Sequence, residues 1–378
     1  MKKRLLCLLV VLAFVMSFAV GCSPAEETTA ELPQMAAEPE VTEEYITIFA
    51  VGDNLLHMPV VNSGKQADGS YDFSHIYANL QPRIKDADIA VINQETIFGG
   101  DNLGYSGYPM FNSPSDMGKT LVNEGFDVVL HASNHTLDRH ASGIEYALDF
   151  WKAYPQVTVL GINESPETKE KVNIKEVKGA KLALLNYTYG TNGMYPPQGK
   201  EYLLNYIDEA KIEQDATYAE ENADFTIAFM HWGTEYSTKA DASQKALAEK
   251  MCTWGVDLVI GAHPHVLEPV EWVESSNGNR MLVYYSLGNF VSRQINAVNL
   301  LGGIADVKLK YDGKKVTLEE YQLVPIVTHY NPSCTEFSVY TLDSYTDELA
   351  SRHGVAAYDG KVSVERWNNI YSTIMNQQ

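Results

Sequence analysis

Basic residues are scarce in this sequence. Its 378 residues carry 28 Lys and Arg against 49 Asp and Glu, a formal net charge of −21. Nucleic-acid binding rests on phosphates neutralised by Lys and Arg, so this balance argues against nucleic acid as a partner. It argues equally against adsorption on an anionic membrane through charge alone. An anionic substrate would need a local positive site, which bound metal ions supply. Cysteine is also sparse, at 4. Cys7 and Cys22 belong to an apolar leader, and Cys252 and Cys334 alone remain in the body, with no CxxC and no zinc-ligand spacing. These two can pair or stay free. Long apolar runs are missing after residue 20, so no second segment reads as a membrane span. What is present is a globular composition, 45% hydrophobic and 20% charged. The length suffices for one large domain or two smaller ones. Tyrosine is frequent, at 23, which serves packing or contact with a carbohydrate or polymer.

The first 22 residues read as an address. Lys2, Lys3 and Arg4 form a basic start, and residues 5–20 are apolar but short for a span. The run closes on Ala19-Val20-Gly21-Cys22, which resembles the lipobox of bacterial lipoproteins, with Ala19 where leucine is usual. That resemblance implies cleavage before Cys22 and lipid on its sulfur and amine; the alternative is ordinary secretion with Cys22 removed. Loss of the three basic residues takes the net charge from −21 to −24. Residues 23–44 hold seven Glu, three Pro and no basic residue, a composition that cannot bury a core and reads as a tether. The expected location is the outer face of the cytoplasmic membrane, held by lipid alone, since two or more acyl chains anchor durably. The body is expected over residues 45–330, with a C-terminal extension over 331–378.

In the body one pattern recurs. A short apolar, β-branched run ends abruptly in polar residues. Residues 46–51 run into Gly52-Asp53, 87–92 into Asn93-Gln94-Glu95, and 126–130 precede Ser133-Asn134-His135. Residues 225–230 run into His231-Trp232-Gly233, and 256–260 into Gly261-Ala262-His263-Pro264-His265. Runs of this kind suit strands buried on both faces. Helices are predicted between them. One is capped by Ser113, with Pro114 at N1, Asp116 at N3 and Gly125 after its end; a second has an Asp241/Gln244 capping box and ends before Gly255; a third spans 141–154. Alternating strands and helices predict an α/β fold whose sites gather beyond the carboxyl ends of the strands. The polar clusters therefore converge on one rim.

The motifs Asn134-His135-x-x-Asp138, His231-Trp232-Gly233-x-Glu235-Tyr236, Gly261-x-His263-Pro264-His265 and Tyr285-Ser286-Leu287-Gly288-Asn289-Phe290 together resemble the CapA capsule-synthesis family. That family is associated with poly-γ-glutamate and belongs to the calcineurin-like metallophosphoesterase superfamily. The resemblance covers roughly residues 46–327. It implies a layered αββα fold, two packed mixed sheets flanked by helices. It also implies two divalent metal ions, of Mn, Fe or Zn type, with Asp53, Glu95, Asn134, His231, His263 and His265 as ligands. His135 would assist the leaving group without binding metal. Two departures bear on the first metal position. Leu55 stands where the superfamily has histidine, with His57 two residues further on as a further metal candidate, and Glu95 stands where an aspartate usually bridges.

Imidazole with carboxylate and amide oxygen suits Zn²⁺, Fe or Mn²⁺ better than Ca²⁺ or Mg²⁺. Two such ions clamp a phosphoryl group and acidify water to a nucleophile near neutral pH. His135 would protonate the departing oxygen, and Asp138 would either orient its ring or cap the next helix. Glu235, Asn289 and Arg293 are expected to line the substrate cleft, with Arg293 as an anion contact or a surface residue. The expected reaction is metal-assisted hydrolysis or transfer at a phosphoester in capsule metabolism. The alternatives are a non-catalytic envelope component that guides an exported anionic polymer or supports a membrane synthase, and amide hydrolysis in the polymer.

Overall fold

A computed structural model describes residues 43–377. The leader, the Cys22 lipidation position and nearly all of the acidic tether lie outside the described residues. Among the described residues, no helix is long and apolar enough to cross a membrane.

The strands are β1 (Glu44–Asn54), β2 (Ile89–Asn93), β3 (Val128–Leu130), β4 (Thr158–Leu160), β5 (Asn173–Val177), β6 (Ala180–Thr188), β7 (Phe225–His231), β8 (Leu258–Ala262), β9 (Val270–Glu274), β10 (Arg280–Tyr284), β11 (Asn289–Val291), β12 (Leu301–Tyr311), β13 (Val316–Tyr330) and β14 (Phe337–Thr341). They form two mixed sheets. The first runs β14-β13-β12-β1-β2-β3-β4, with β11 also beside β1, and the second runs β5-β6-β7-β8-β10-β9. The first sheet has a parallel half, β1 to β4, beside an antiparallel half, and the second has a parallel middle, β6, β7, β8 and β10, with antiparallel flanks. Parallel strands place their carboxyl ends at the same edge, and this is why the polar clusters meet.

The period-2 alternation of the strands explains the layering. Phe225, Ile227 and Phe229 of β7 join one large core with Ile48, Ala50, Ile92 and Tyr284, between the sheets. Ala228 and Met230 of the same strand face the other way, into a second core with Ile212, Ala216, Leu247, Ala248 and Met251. Those last residues lie on the helices Glu209–Asn222 and Ala242–Thr253. The second of these carries the Asp241/Gln244 capping box that its sequence predicts. The helix predicted to be capped by Ser113 begins later, at Asp116, because both serines are engaged elsewhere. Ser113 Oγ donates to Thr96 and Ser115 Oγ to Asp101. The third helix is His140–Trp151, followed by a tight turn to Tyr154.

Two elements were not legible as sheet from the sequence. β12 and β13 form a long antiparallel hairpin against β1. Residues 331–377 are part of the same compact unit rather than an appendage. β14 covers the outer edge of β13, and Trp367 of the helix Val364–Met375 is fully buried. Cys252 and Cys334 are both free thiols.

One close approach sets up the rim. A Cβ on Gly52 would lie 1.9 Å from the carbonyl oxygen of Gly288, the same oxygen that accepts from Asp53 N at 2.9 Å. Only glycine lets β11 come this near, and the contact puts Asp53 and Asn289 in register side by side.

Candidate metal centre

Asp53, Glu95, Asn134, His231, His263 and His265 sit together at the carboxyl ends of β1, β2, β3, β7 and β8, all of them buried. His231 Nε2 is 2.9 Å from Asn134 Oδ1 and 4.0 Å from Glu95 Oε1. His265 Nε2 is 3.7 Å from the same Glu95 oxygen. Glu95, His231 and His263 form one group with ligand atoms within 4.8 Å of one another, and Asp53, Glu95 and His265 form a second, so Glu95 is common to both.

The fit to cations rests on unsatisfied atoms. Both oxygens of Glu95, at 1% exposure, lack a hydrogen-bond partner, and so does His263 Nδ1. A buried carboxylate without partners is costly unless a cation lies against it. Burial pushes the Glu95 carboxyl well above the usual range; Asp53, Glu235 and Asp138 add to this, and His265 opposes it. Burial, His263, His265 and His135 hold His231 well below the ordinary imidazole value. Burial and His265 lower His263 to about 3, so both imidazoles are neutral and free to donate lone pairs. Burial alone would lower His265, but Glu95 and Asp53 raise it to about 9.

The backbone is strained at the two histidines of the β8 loop. His263 and His265 adopt φ of 101° and 58°, unusual for residues other than glycine. The loop is held by the approach of β8 to Tyr285, where a Cβ on Gly261 would lie 1.9 Å from the Tyr285 carbonyl oxygen. Trp232 Nε1 donates to that oxygen. Tyr236 N donates to Pro264 O at 2.8 Å, tying the His231 loop to the His263 loop.

The other sequence candidates separate. His135 Nδ1 lies 2.8 Å from Asp138 Oδ2, which also accepts from Phe111 N. Asp138 therefore orients the ring; the following helix is capped at Arg139 without it. Glu235 is exposed, with its carboxylate within 4.8 Å of ring nitrogens of His263 and His265. Asn289 is fully buried and braces His265 rather than lining a cleft, with Oδ1 3.1 Å from His265 Nδ1. His57 joins none of the metal-capable groups among the described residues. Its Nδ1 accepts from Arg293 N at 3.2 Å. Arg293 is a correction: its guanidinium turns into the C-terminal segment, donating to Cys334 Sγ and the Tyr358 hydroxyl and lying over the Tyr330 ring. Those partners belong to β13 and to residues beyond it, whose placement the motifs around Arg293 do not encode.

Beside the metal-capable groups lies a cavity of about 300 Å³ lined by Leu55, His57, Tyr108, Phe111, His135, Glu235, Tyr236, His265 and Gln294, with no Lys or Arg. Two site residues escaped the sequence reading. Asn93 Nδ2 donates to Asp53 Oδ1 at 2.7 Å and faces His231 Nδ1. The Tyr189 ring packs 4.5 Å from that of His263. Asn93 carried a signal, since it ends β2 as Asp53 nearly ends β1; Tyr189 carried none.

Comparisons with known proteins agree with this geometry. The family model described as bacterial capsule synthesis protein PGA_cap matches residues 47–294. "Capsule biosynthesis protein CapA" of Bacillus anthracis is 26% identical over 312 residues, 78% of this chain and 70% of that protein. "PGA biosynthesis protein CapA" of Bacillus subtilis strain 168 is 32% identical over 187 residues, 47% of this chain and only 45% of that protein. Among solved structures, a putative 5′-nucleotidase from Staphylococcus aureus superposes with a TM-score of 0.50 at 15% identity, covering 75% of this chain and 54% of the other. The two mixed sheets with flanking helices are thus a metallophosphoesterase-like fold. With its matched region containing every one of the converging ligand candidates, the chain belongs to the bacterial capsule synthesis protein family PGA_cap.

Proposed function

We propose that this protein is a lipid-anchored envelope protein that holds two divalent cations at its rim and hydrolyses or transfers a phosphoester in extracellular poly-γ-glutamate or capsule metabolism. The observation that carries the proposal is the Glu95 carboxylate. It is buried, both its oxygens lack partners, and it stands between His231 and His265, next to the unpartnered Nδ1 of His263. Glu95, Asn134, His231 and His263 would hold one ion; Asp53, Glu95 and His265 would hold the other. Bound cations would polarise a phosphoryl oxygen and make water nucleophilic at neutral pH.

The chain's own groups do the rest. His135 lines the cavity beside His265, and Asp138 holds its Nδ1, leaving Nε2 as the atom that gives a proton to the departing oxygen. Asp53 and Asn289 fix the His265 ring from either side of Nδ1. Phe111 packs edge-on against His135 at 4.7 Å and limits its swing. The absence of Lys and Arg around this cavity means that substrate charge must be met by the cations.

A second reading is a non-catalytic component that guides an exported anionic polymer or supports a membrane synthase. Leu55 in place of a ligand imidazole and the diversion of Arg293 favour it. The full chain, purified in detergent, should retain bound metal and cleave a chromogenic phosphodiester or monoester with Mn²⁺, Zn²⁺ or Fe²⁺. Metal-free protein with no turnover under all three conditions excludes the enzyme reading; co-purification with synthase subunits or glutamate polymer then supports the other.

A further inference from the structure

Of the three metal-capable groups, the two that share Glu95 are unequal. The position formed by Glu95, His231 and His263 is completed by Asn134 Oδ1, 2.9 Å from His231 Nε2. The position formed by Asp53, Glu95 and His265 is poorer. Asp53 Oδ1 already accepts from Asn93 and Oδ2 lies 3.0 Å from His265 Nδ1, so its oxygens are largely engaged. Leu55, a buried alkyl side chain with no ligand atom to offer, lines the same cavity as His265.

Glu235 is the side chain that opens onto this poorer position. Its carboxylate lies within 4.8 Å of ring nitrogens of both His263 and His265. It lines the same cavity as Leu55. Its loop is anchored rather than free: Gly233 and Tyr236 take positive φ of 89° and 66°, and Tyr236 N is bonded to Pro264 O between the two histidines. A role as a direct substrate contact fits poorly, because a carboxylate repels an anionic phosphoryl group in a cavity without Lys or Arg. Against a cation the same carboxylate is favourable.

We propose that Glu235 is a metal ligand, completing the His265 ion position from the solvent side of a cavity in which Leu55 offers no ligand atom. This rests on the two-cation reading above and deepens it. It has two consequences. The position becomes richer in carboxylate oxygen, with Glu235 added to Asp53 and Glu95 beside His265 and with His263 also within its reach, which suits Mn²⁺ better than an imidazole-dominated site does. It also exchanges readily, because one ligand sits on an exposed loop, whereas the Asn134 position is enclosed.

The test is Mn²⁺ binding, read as bound and free ion without any turnover. The full wild-type chain in detergent should take up two equivalents of Mn²⁺, one tight and one weaker. Glu235→Gln should keep the tight equivalent and weaken the other by at least about tenfold, the lower end of what loss of even a supporting group costs a metal site. Leu55→His in the Glu235→Gln background should restore the second equivalent by supplying an imidazole from the cavity wall. Unchanged thermal unfolding of metal-free Glu235→Gln shows that the effect is on binding and not on folding. Two equivalents with equal affinities in wild type and Glu235→Gln overturn this inference and leave the two-cation reading standing. Uptake of one equivalent by both also overturns it. Uptake of none by wild type overturns the two-cation reading itself.

Discussion

Replacing Glu95 by Gln removes the shared carboxylate while keeping its size. In the metal-free protein the wild-type carboxylate is buried at 1% exposure with no partner for either oxygen. An unsatisfied buried polar group costs about 1–3 kcal/mol, more when charged. Glu95→Gln removes the charge but leaves a polar group in the same place, so it should stabilise the metal-free protein by at most about 1–3 kcal/mol. At about 2.1 cal/mol/K per residue, a body of this length moves its Tm by roughly 1.4 °C per kcal/mol, so the rise should be at most about 1–4 °C. With cations present the order reverses. Wild type gains RT ln(1 + [L]/Kd), about 2.7 kcal/mol at a hundredfold excess over Kd, a further rise of roughly 4 °C. Glu95→Gln should lose most of that gain. The assay is thermal unfolding by circular dichroism, with chelator and then with Mn²⁺ or Zn²⁺. A variant that is less stable than wild type under chelator and still gains the full metal-induced shift would refute the assignment of Glu95 as the shared ligand.

Other outcomes are expected from particular contacts. His135→Ala should lower kcat for a phosphoester by about 10²–10⁴-fold with metal content unchanged, and Asp138→Asn should reproduce part of that loss; metal content falling with activity would place His135 among the ligands instead. Burial raises Glu268 to about 8, opposed by the hydrogen bond from Gln244. A raised carboxyl contributes stability below its ordinary range near 4.5, and that contribution is lost as pH rises through about 8. Glu268→Gln should therefore unfold at higher urea than wild type above pH ~8, by on the order of a few kcal/mol, and the difference should shrink towards pH ~4.5; a pH-independent difference would refute this. Cys22→Ala should move the protein from the membrane pellet to the soluble fraction, and retention in the pellet would remove the lipid anchor from the proposal.

Much of this site was legible because its candidate metal-binding residues follow strands. A run of β-branched residues ending in Asp, Asn or His places that residue at a strand's carboxyl end wherever the strand goes, so parallel strands bring such residues to one rim. That argument sends Asp53, Glu95, Asn134, His231, His263 and His265 to one rim without knowledge of sheet order, and the structure places them together there. The capping box at Asp241 was legible for a similar reason, since its partners are three residues apart. Ser113 failed as a cap because its hydroxyl is taken by Thr96, seventeen residues away in sequence.

Arg293, Asn289 and Glu235 mark where local pattern stops being informative. All three are polar residues near family motifs, and sequence treats them alike. Tertiary structure sends Arg293 to Tyr358, seals Asn289 against His265, and leaves Glu235 facing two imidazoles. Which elements become strands, and which side chains end them, is decided by short-range periodicity and is written in the chain. The direction in which a side chain at the rim turns depends on which distant segment packs beside it. Only the folded arrangement of β11, β13 and the residues beyond it decides that.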